Sequence, residues 1–173
     1  DALAATGYGL TLGIQSRVDE TIAHITGRAR VGNIYVNRNM IGAVVGVQPF
    51  GGEGLSGTGP KAGGPLSLRR LVRGGPVPLA DLPRPACAVL DELEAWLHGE
   101  AVPLDEAARR RLSEHLAAYR RASLAGLALA LPGPTGETNT LGFYPRGPVL
   151  GLADGLEAWL HQLAAVLATG NLL

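Results

Sequence analysis

The residues best placed to do chemistry are the glycines of one stretch, VGVQPFGGEGLSGTGPKAGGPLSL, which runs from Val45 to Leu68. Eight of its 24 residues are glycine, and glycine in regular structure costs roughly 0.5–1 kcal/mol relative to alanine. Glycine turns can point successive backbone N–H groups into a concave site that holds a carboxylate or a phosphate. The stretch therefore predicts an ordered loop whose bare backbone approaches an anionic ligand.

A flexible linker between two domains is the alternative interpretation of this stretch. Linkers are typically rich in Gly and Ser or in Pro, and they lack hydrophobic anchors. Apolar side chains stand between the glycines here, at Val45, Val47, Phe50, Leu55, Leu66 and Leu68. The pattern favours the ligand loop, and the linker stays open as the second possibility.

The composition is that of a globular protein without a polyanionic partner. The 173 residues are 46% hydrophobic and 17% charged, and the formal net charge is zero. This balance gives no electrostatic case for binding nucleic acid or an anionic membrane. A single cysteine, Cys87, excludes an internal disulfide and suits a cytoplasmic location. Both ends fall inside ordered-looking sequence, so we expect a piece of a longer polypeptide.

The elements around the glycine-rich stretch predict an α/β unit. Gly9–Ser16 alternates like a strand, and Ser16 is expected to be the N-cap of the helix that follows. Gly32–Asn37, with the sequence GNIYVN, is typical of a second strand. Strand, helix and strand in this order suit an α/β unit. Asn37 is expected to hold the following loop, and Leu66–Val72 is predicted to be extended or one helical turn.

A proline-rich linker, Gly74–Pro85, is predicted to lead into a second α/β layer. Two amphipathic helices follow, at Ala86–Gly99 and Asp105–Ser123, each with apolar side chains on one face. Arg109–Arg111 is predicted to lie on a solvated helix face rather than to bind anions, because acidic residues surround it. The remaining predicted elements are strands at Gly126–Leu131, Thr140–Tyr144 and Val149–Leu152 and a helix at Leu156–Ala168.

Three motifs carry a family resemblance: ATGYGLTLGIQSR, ARVGNIYVNRN and GVQPFGGEGLSGTGPKAGGP. They resemble the C-terminal part of the aldehyde dehydrogenase catalytic domain. More narrowly, they are similar to the glutamate-semialdehyde (Δ1-pyrroline-5-carboxylate) dehydrogenase of the proline utilization A family of bacterial bifunctional flavoenzymes. The resemblance covers Asp1 to about Val72, and it implies an α/β fold in which residues 1–73 complete that catalytic domain.

The C-terminal run YPRGPVLGLADGLEAWLHQLAAVLATGN resembles the nucleotide-binding domain of the same superfamily. Active members have a Trp-Asn-Phe-Pro turn that supplies an oxyanion asparagine, and this chain has Asp154–Glu157 at that place. The resemblance implies a linker with a helix at 74–103 and a degenerate, Rossmann-like, non-catalytic domain at 104–173. Such a domain would brace the catalytic half and seal the tunnel from the flavin site. Gly133–Asn139 lacks a nucleotide-binding spacing and is predicted to be a turn.

The resemblance implies substrate-binding roles for five residues. Gly63 and Gly64 match the loop that anchors the α-carboxylate of the substrate, and a turn before the next proline is their alternative role. Phe50 matches the aromatic residue that lines the aldehyde tunnel, with a core side chain as the alternative. Ser56 is expected either to touch the substrate or to cap a turn with its hydroxyl. Leu71 stands where relatives place a covering aromatic, so only an apolar wall is kept.

The resemblance also implies what this chain lacks. Aldehyde oxidation in the superfamily needs a cysteine thiolate, a glutamate-activated water and NAD. Cys87 does not match the nucleophile, and we expect it to pack as a small apolar side chain. NAD would be bound mainly by upstream residues, and FAD by the proline dehydrogenase domain of the parent protein. No catalytic residue and no metal site are predicted within this chain.

Two functions follow from these observations. In the first, the chain is part of a bifunctional enzyme that oxidises proline to glutamate. Its partners would be glutamate semialdehyde or pyrroline-5-carboxylate, the rest of the parent chain and further copies in a homo-oligomer. Such an enzyme would be cytoplasmic, or peripheral at the inner membrane through its flavin domain, and no DNA binding is expected from this stretch. In the second, the chain is a non-catalytic structural or binding module that retains an aldehyde dehydrogenase-like shape.

Overall fold

The computed structural model describes residues 2–73, 82, 85–99 and 102–173. Contacts within the chain divide it into two units. The first comprises Asp1–Pro78 and Ala130–Thr140, and the second comprises Leu79–Leu129 and Leu141–Leu173. The predicted linker at Gly74–Pro85 lies almost entirely outside the described residues, and the predicted domain boundaries stay a prediction.

The first unit begins with a strand, helix and strand in the predicted order. Its elements are helix α1 (Ala2–Ala5), strands β1 (Tyr8–Gly9) and β2 (Thr11–Ile14), helix α2 (Asp19–Thr26) and strands β3 (Asn33–Val36) and β4 (Glu53–Gly54). Strand β2 pairs in parallel with β3, from Thr11 opposite Asn33 to Ile14 opposite Val36. Strand β1 pairs antiparallel with β4. A 3₁₀ helix at Ser67–Arg70 follows, which is the helical turn that the sequence allowed there.

The start of α2 differs from the prediction. The residue before the helix is Val18, which makes no side-chain capping bond, so the predicted N-cap at Ser16 is wrong. Ser16 Oγ instead accepts a hydrogen bond from the Val18 N–H at 3.1 Å, which closes a turn before the helix. The Ser16 N–H donates to Asn37 Oδ1 at 3.0 Å. Asn37 therefore holds the end of β2, and not the loop after β3 as expected.

The second unit is built on three helices around an apolar core. They are α3 (Ala88–Leu97), α4 (Glu106–Ala122) and α5 (Leu156–Leu167). Strands β5 (Ala128–Leu131) and β6 (Asn139–Gly142) pair with each other, and the segment Ala130–Thr140 within them belongs to the first unit. The largest fully buried side chains are Leu90, Leu97, Leu112, Leu116 and Leu160. Cys87 packs against this core from a partly buried position, in agreement with its predicted packing role.

Two predictions for the second unit are wrong. Val149–Leu152 forms no strand; the neighbouring Pro148 makes a single bridge to Leu172 instead. Arg109 does not point to solvent: its guanidinium donates to the Leu97 carbonyl and, at 2.6 Å, to the Val102 carbonyl. Carbonyls at the end of a helix have no partner within the helix, and Arg109 satisfies one at the end of α3.

The content of helices and strands agrees with an α/β class. The strands of the described ranges occur as three separate pairs, and a Rossmann-like arrangement of the C-terminal domain stays a prediction. Within those ranges, no helix combines the length and the apolar character that crossing a membrane requires.

Candidate functional site

The glycine-rich stretch is a folded loop, and it is closed by backbone hydrogen bonds. The Phe50 N–H donates to the Ala62 carbonyl at 3.0 Å, and the Ala62 N–H donates back to the Phe50 carbonyl at 2.8 Å. Near one end of this bridge, the Gly46 N–H donates to the Gly63 carbonyl at 3.0 Å. These bonds fix both arms of the loop, so the ordered loop is confirmed over the flexible linker.

Some of the glycines are explained by contacts inside the protein rather than by a ligand. Gly54 has φ 56°, and a Cβ there would lie 2.4 Å from the Gly7 carbonyl oxygen. A Cβ on Gly52 would lie 2.5 Å from Ser56 Cβ. Real Cβ atoms do not approach so closely, so these positions require glycine for packing. Ligand binding is therefore expected at the later glycines of the loop.

Asn33 attaches the loop to the parallel strand pair. Its side chain is buried, with 9% of the residue exposed. Nδ2 donates to the Pro49 carbonyl at 2.9 Å, and Oδ1 accepts from the Gly51 N–H at 3.1 Å. One amide thus satisfies both a donor and an acceptor of the loop on either side of Phe50. A buried amide with both bonds made rigidifies its surroundings.

Lys61, the basic residue of the glycine-rich loop, stabilises the loop through hydrogen bonds of its ammonium group. Its ammonium donates to the Gly32 carbonyl, to the Gly51 carbonyl at 2.8 Å and to Asn33 Oδ1 at 3.4 Å. Burial lowers the pKa of Lys61, and the carboxylate of Glu53 partly opposes that shift. An ammonium has three donors, and Lys61 uses all three in bonds to these oxygens. It is therefore not available as the cation that pairs with a ligand.

Gly63 and Gly64, the predicted carboxylate anchors, differ in what their N–H groups do. The Gly64 N–H donates to the Lys61 carbonyl at 3.1 Å. Within the described ranges, no protein acceptor is recorded for the Gly63 N–H. Gly63 has φ 70°, in the left-handed region that favours glycine. In this conformation the loop offers one backbone donor of the predicted pair.

The other predicted residues lie at three different places. Phe50 is 37% exposed, so it is not a core side chain, and the bridge to Ala62 brings it near Gly63. Ser56 Oγ accepts from the Gly9 N–H at 3.2 Å, which is a contact with strand β1 and not the turn cap given as its alternative role. Leu71 follows the 3₁₀ helix and is 79% exposed. Ser56 and Leu71 take no part in the backbone bonds that pair Phe50 with Ala62 and Gly46 with Gly63.

A cleft of about 520 Å³ lies elsewhere in the first unit. Among its lining residues are Leu12, His24, Ile25 and Arg28. None of the five predicted substrate-binding residues lines it. The cleft is therefore a feature separate from the glycine-rich loop.

Gly133–Asn139 forms a turn and does not fit a nucleotide. The Glu137 N–H donates to the Pro134 carbonyl at 3.1 Å, and Asn139 Nδ2 donates to the Pro132 carbonyl at 3.2 Å. The Glu137 carboxylate is paired with Arg38 at 3.2 Å. A carboxylate held in the turn repels a phosphate, which agrees with the predicted turn.

Sequence reasoning missed four residues that shape the loop: Asn33, Gln48, Lys61 and Glu137. One signal was present, because Lys61 is the single basic residue of the 24-residue stretch. A single cation among glycines and apolar residues needs a specific set of partners. The contact between Gln48 and Glu137 spans 89 positions, and no local pattern reports such a pair.

Comparisons with known proteins agree with the motifs. The sequence model of the aldehyde dehydrogenase family matches residues 2–73. Bifunctional protein PutA of Rhizobium meliloti is 54% identical over 99% of this chain and 13% of its own length. The chain thus spans about an eighth of that relative.

Two further proteins match a smaller share of the chain. A 1-pyrroline-5-carboxylate dehydrogenase of Geobacillus thermodenitrificans is 50% identical over 35% of this chain and 12% of its own length. A crystal structure of a Bradyrhizobium japonicum proline utilization A mutant is 74% identical, covering 40% of this chain and 7% of that one, with a TM-score of 0.39.

Proposed function

Because the chain belongs to the aldehyde dehydrogenase superfamily and corresponds to a segment of the bifunctional PutA proteins, we propose that it anchors the substrate of a semialdehyde dehydrogenase. The whole protein would oxidise proline to glutamate. The glycine-rich loop would bind glutamate semialdehyde by its α-carboxylate. The observation that carries the proposal is the Gly63 N–H, which has no recorded acceptor in the described part of the chain and stands on a loop fixed from both arms.

The chemistry of the loop suits a carboxylate. A hydrogen bond from a backbone N–H to an ionised carboxylate is about twice as strong as a neutral one. Gly63 supplies the first donor, and Gly64 supplies the second when its N–H leaves the Lys61 carbonyl. Phe50 is partly exposed beside its backbone pair with Ala62, and it covers the aliphatic part of the substrate. Ser56 and Leu71 remain candidates for outer contacts only.

We propose that the groups that react lie outside this chain. The nucleophilic cysteine and the residues that bind NAD belong to the rest of the parent protein, and FAD belongs to its proline dehydrogenase domain. The second unit serves as a structural domain that braces the catalytic half and seals the tunnel. The parent protein is cytoplasmic and forms a homo-oligomer.

A non-catalytic module is the second candidate, and one observation favours it. The Gly64 N–H is already bonded within the protein at 3.1 Å. If the loop keeps that bond whenever it meets a ligand, half of the proposed anchor is absent. In that case the chain retains the shape of the family without binding the substrate.

The test compares two substrates on the full-length protein, since substitutions in the loop perturb its packing. A Cβ on Gly64 would lie 2.9 Å from Pro49 Cβ, so we expect Gly64→Val to disturb folding as well as binding. Glutamate semialdehyde and 4-aminobutanal differ by the carboxylate alone. We expect kcat/KM, followed as NAD reduction, to be about 10- to 100-fold higher for glutamate semialdehyde, because hydrogen bonds to a charged group contribute about 1.5–3 kcal/mol.

Equal kcat/KM for the two aldehydes would contradict the anchoring role of the loop. A full-length protein that oxidises neither aldehyde would favour the non-catalytic module. Butanal serves as the control for catalytic competence, because it offers neither the carboxylate nor the amino group.

A further inference from the structure

We infer that Glu137 is a positioning residue for the glycine-rich loop, acting through Gln48 on the turn that carries Gly46 and thereby on Gly63. The inference rests on the proposed function, since it concerns how the same loop is held in shape to bind the substrate carboxylate. Glu137 lies in the turn between β5 and β6, far along the chain from the loop, but it belongs to the first unit.

The Glu137 carboxylate is itself held in place. Arg38 donates through one guanidinium nitrogen to both carboxylate oxygens, at 3.2 Å each. The Arg38 guanidinium lies over the Tyr35 ring, 4.9 Å from its centroid, and Tyr35 is buried. Because Tyr35 belongs to β3, the carboxylate is attached to the parallel strand pair. Only about a quarter of each of the Arg38 and Glu137 side chains is exposed (29% and 24%), so water screens the pair weakly.

Gln48 transmits this fixed point to the loop. Its Nε2 donates to a Glu137 carboxylate oxygen, and its Oε1 accepts from the Val44 N–H at 3.1 Å. The Gln48 N–H donates to the Val44 carbonyl at 2.8 Å. Gln48 is 8% exposed, so loss of Glu137 leaves a buried amide donor without its acceptor. The side chain would then turn toward water and release Val44.

The turn from Val44 to Gln48 leads directly to the proposed anchor. Gly46, inside this turn, donates its N–H to the Gly63 carbonyl at 3.0 Å. The Gly63 carbonyl and N–H belong to one residue, so a change in the Val44–Gln48 turn shifts the donor that would meet the carboxylate. Four contacts in sequence thus connect Arg38, Glu137, Gln48, the turn and Gly63.

In this role Glu137 takes no part in the catalytic chemistry. Glu137 touches no proposed substrate atom, and its effect is confined to the carboxylate end of the substrate. Its removal should therefore weaken binding of an amino-acid aldehyde and spare an aldehyde that has no carboxylate. A residue that supports only the general stability of the fold would affect both substrates.

The experiment uses the full-length protein with Glu137→Ala. We expect KM for glutamate semialdehyde to rise about tenfold, with kcat changed by less than about threefold and KM for butanal unchanged. Glu137→Gln should restore KM to within about twofold of the wild-type value, since its amide oxygen still accepts from Gln48. Hydrogen exchange of peptides covering residues 44–50 should be faster in Glu137→Ala.

Glu157→Ala is the matched control, because Glu157 makes an ion pair with Arg111 at 2.8 Å in the second unit. We expect it to leave both KM values unchanged. An unchanged KM for glutamate semialdehyde in Glu137→Ala, or an equal rise for butanal, would overturn the inference while leaving the proposed function intact. If the wild-type protein itself shows no preference for the carboxylate, the proposed function fails, and the inference fails with it.

Discussion

At the scale of single residues, the loop is organised by a few buried polar side chains. Asn33 and Lys61 satisfy backbone groups of Pro49 and Gly51, on either side of Phe50. Their contacts with Pro49 and Gly51 join residues that are 10 to 18 positions apart in the sequence. A glycine-rich segment has high conformational entropy when unfolded, so such contacts are what give it one conformation. The glycines permit the shape, and the amide and the ammonium select it.

His161 supports a prediction about pH. Its ring stacks on His115 with centroids 4.0 Å apart and lies 5.8 Å from the Tyr119 ring. Burial, followed by the nearby charge of His115, lowers the pKa of His161 below its ordinary value of 6.5, and Glu157 partly opposes the shift. Between the lowered pKa and 6.5 the unfolded chain binds more protons than the folded chain. The free energy of unfolding should therefore be highest above that window and fall as the pH drops through it.

The measurement is thermal unfolding of the chain at about pH 7 and about pH 5. Fluorescence reports the second unit, because both tryptophans, Trp96 and Trp159, lie in its helices. We expect the drop in Tm on acidification to be smaller in His161→Gln than in the wild-type chain. The same drop in both proteins would show that this histidine contributes nothing to the pH dependence.

At the scale of elements, the long helices α3, α4 and α5 were predicted from the sequence, whereas the short helix α1 (Ala2–Ala5) was not. The apolar spacing in α4 and α5 extends over three or more turns, so the periodicity is unambiguous. The predicted start of α4 also agrees with the structure, where Asp105 is the N-cap and its Oδ1 accepts from the Ala108 N–H at 2.7 Å. The predicted strand at Val149–Leu152 failed because a short apolar run without a partner strand carries no information about pairing.

For the glycine-rich loop, the sequence likewise predicted the order of the segment but not its hydrogen-bond partners. The loop is ordered and Phe50 is partly exposed, and both features agree with a ligand loop. The apolar side chains between the glycines predicted that order. The partners of Gly64 and Ser56 depend on which carbonyl or N–H the fold brings near, and spacing along the sequence does not contain that. Arg109 was misplaced for the same reason, since its acceptors belong to the end of another helix.

Arg109 gives a prediction about how α3 ends. Its guanidinium donates to the carbonyls of Leu97, Gly99 and Val102. Arg109→Met keeps much of the aliphatic stem but leaves these acceptors without their donor. Losing a partner of buried polar groups costs about 1–3 kcal/mol. We expect the free energy of unfolding to fall by that amount in urea titrations followed by tryptophan fluorescence.

The control for Arg109→Met lies one residue away on the same helix. Arg110 is exposed, and Arg110→Met should change the free energy of unfolding by no more than about 0.5 kcal/mol. If the two variants lose the same stability, the contribution comes from general helix charge and not from the bonds of Arg109.

At the scale of the whole molecule, the two units differ in how much apolar surface they bury. Of the 15 buried hydrophobic residues in the described ranges, two, Ile14 and Tyr35, lie in the first unit. The first unit also exposes large apolar side chains, including Ile41, Val45, Leu55, Leu68 and Leu71. Burial of apolar area supplies most of the free energy of folding, so the two units should differ in stability.

Hydrogen exchange measures that difference element by element. Amides open with free energies that reflect the local contacts, and segments with few buried apolar contacts open first. In this chain alone, we expect the amides of α4 and α5 to exchange at least about 100-fold more slowly than those of β2 and β3, a difference of about 2.7 kcal/mol in opening free energy.

In the full-length protein, β2 and β3 should gain protection as other parts of the chain cover the exposed side chains of the first unit, while α4 and α5 change little. Equal protection of both sets of elements in the chain alone would show that polar contacts such as those of Asn33 and Lys61 stabilise the first unit as strongly as the leucine core stabilises the second.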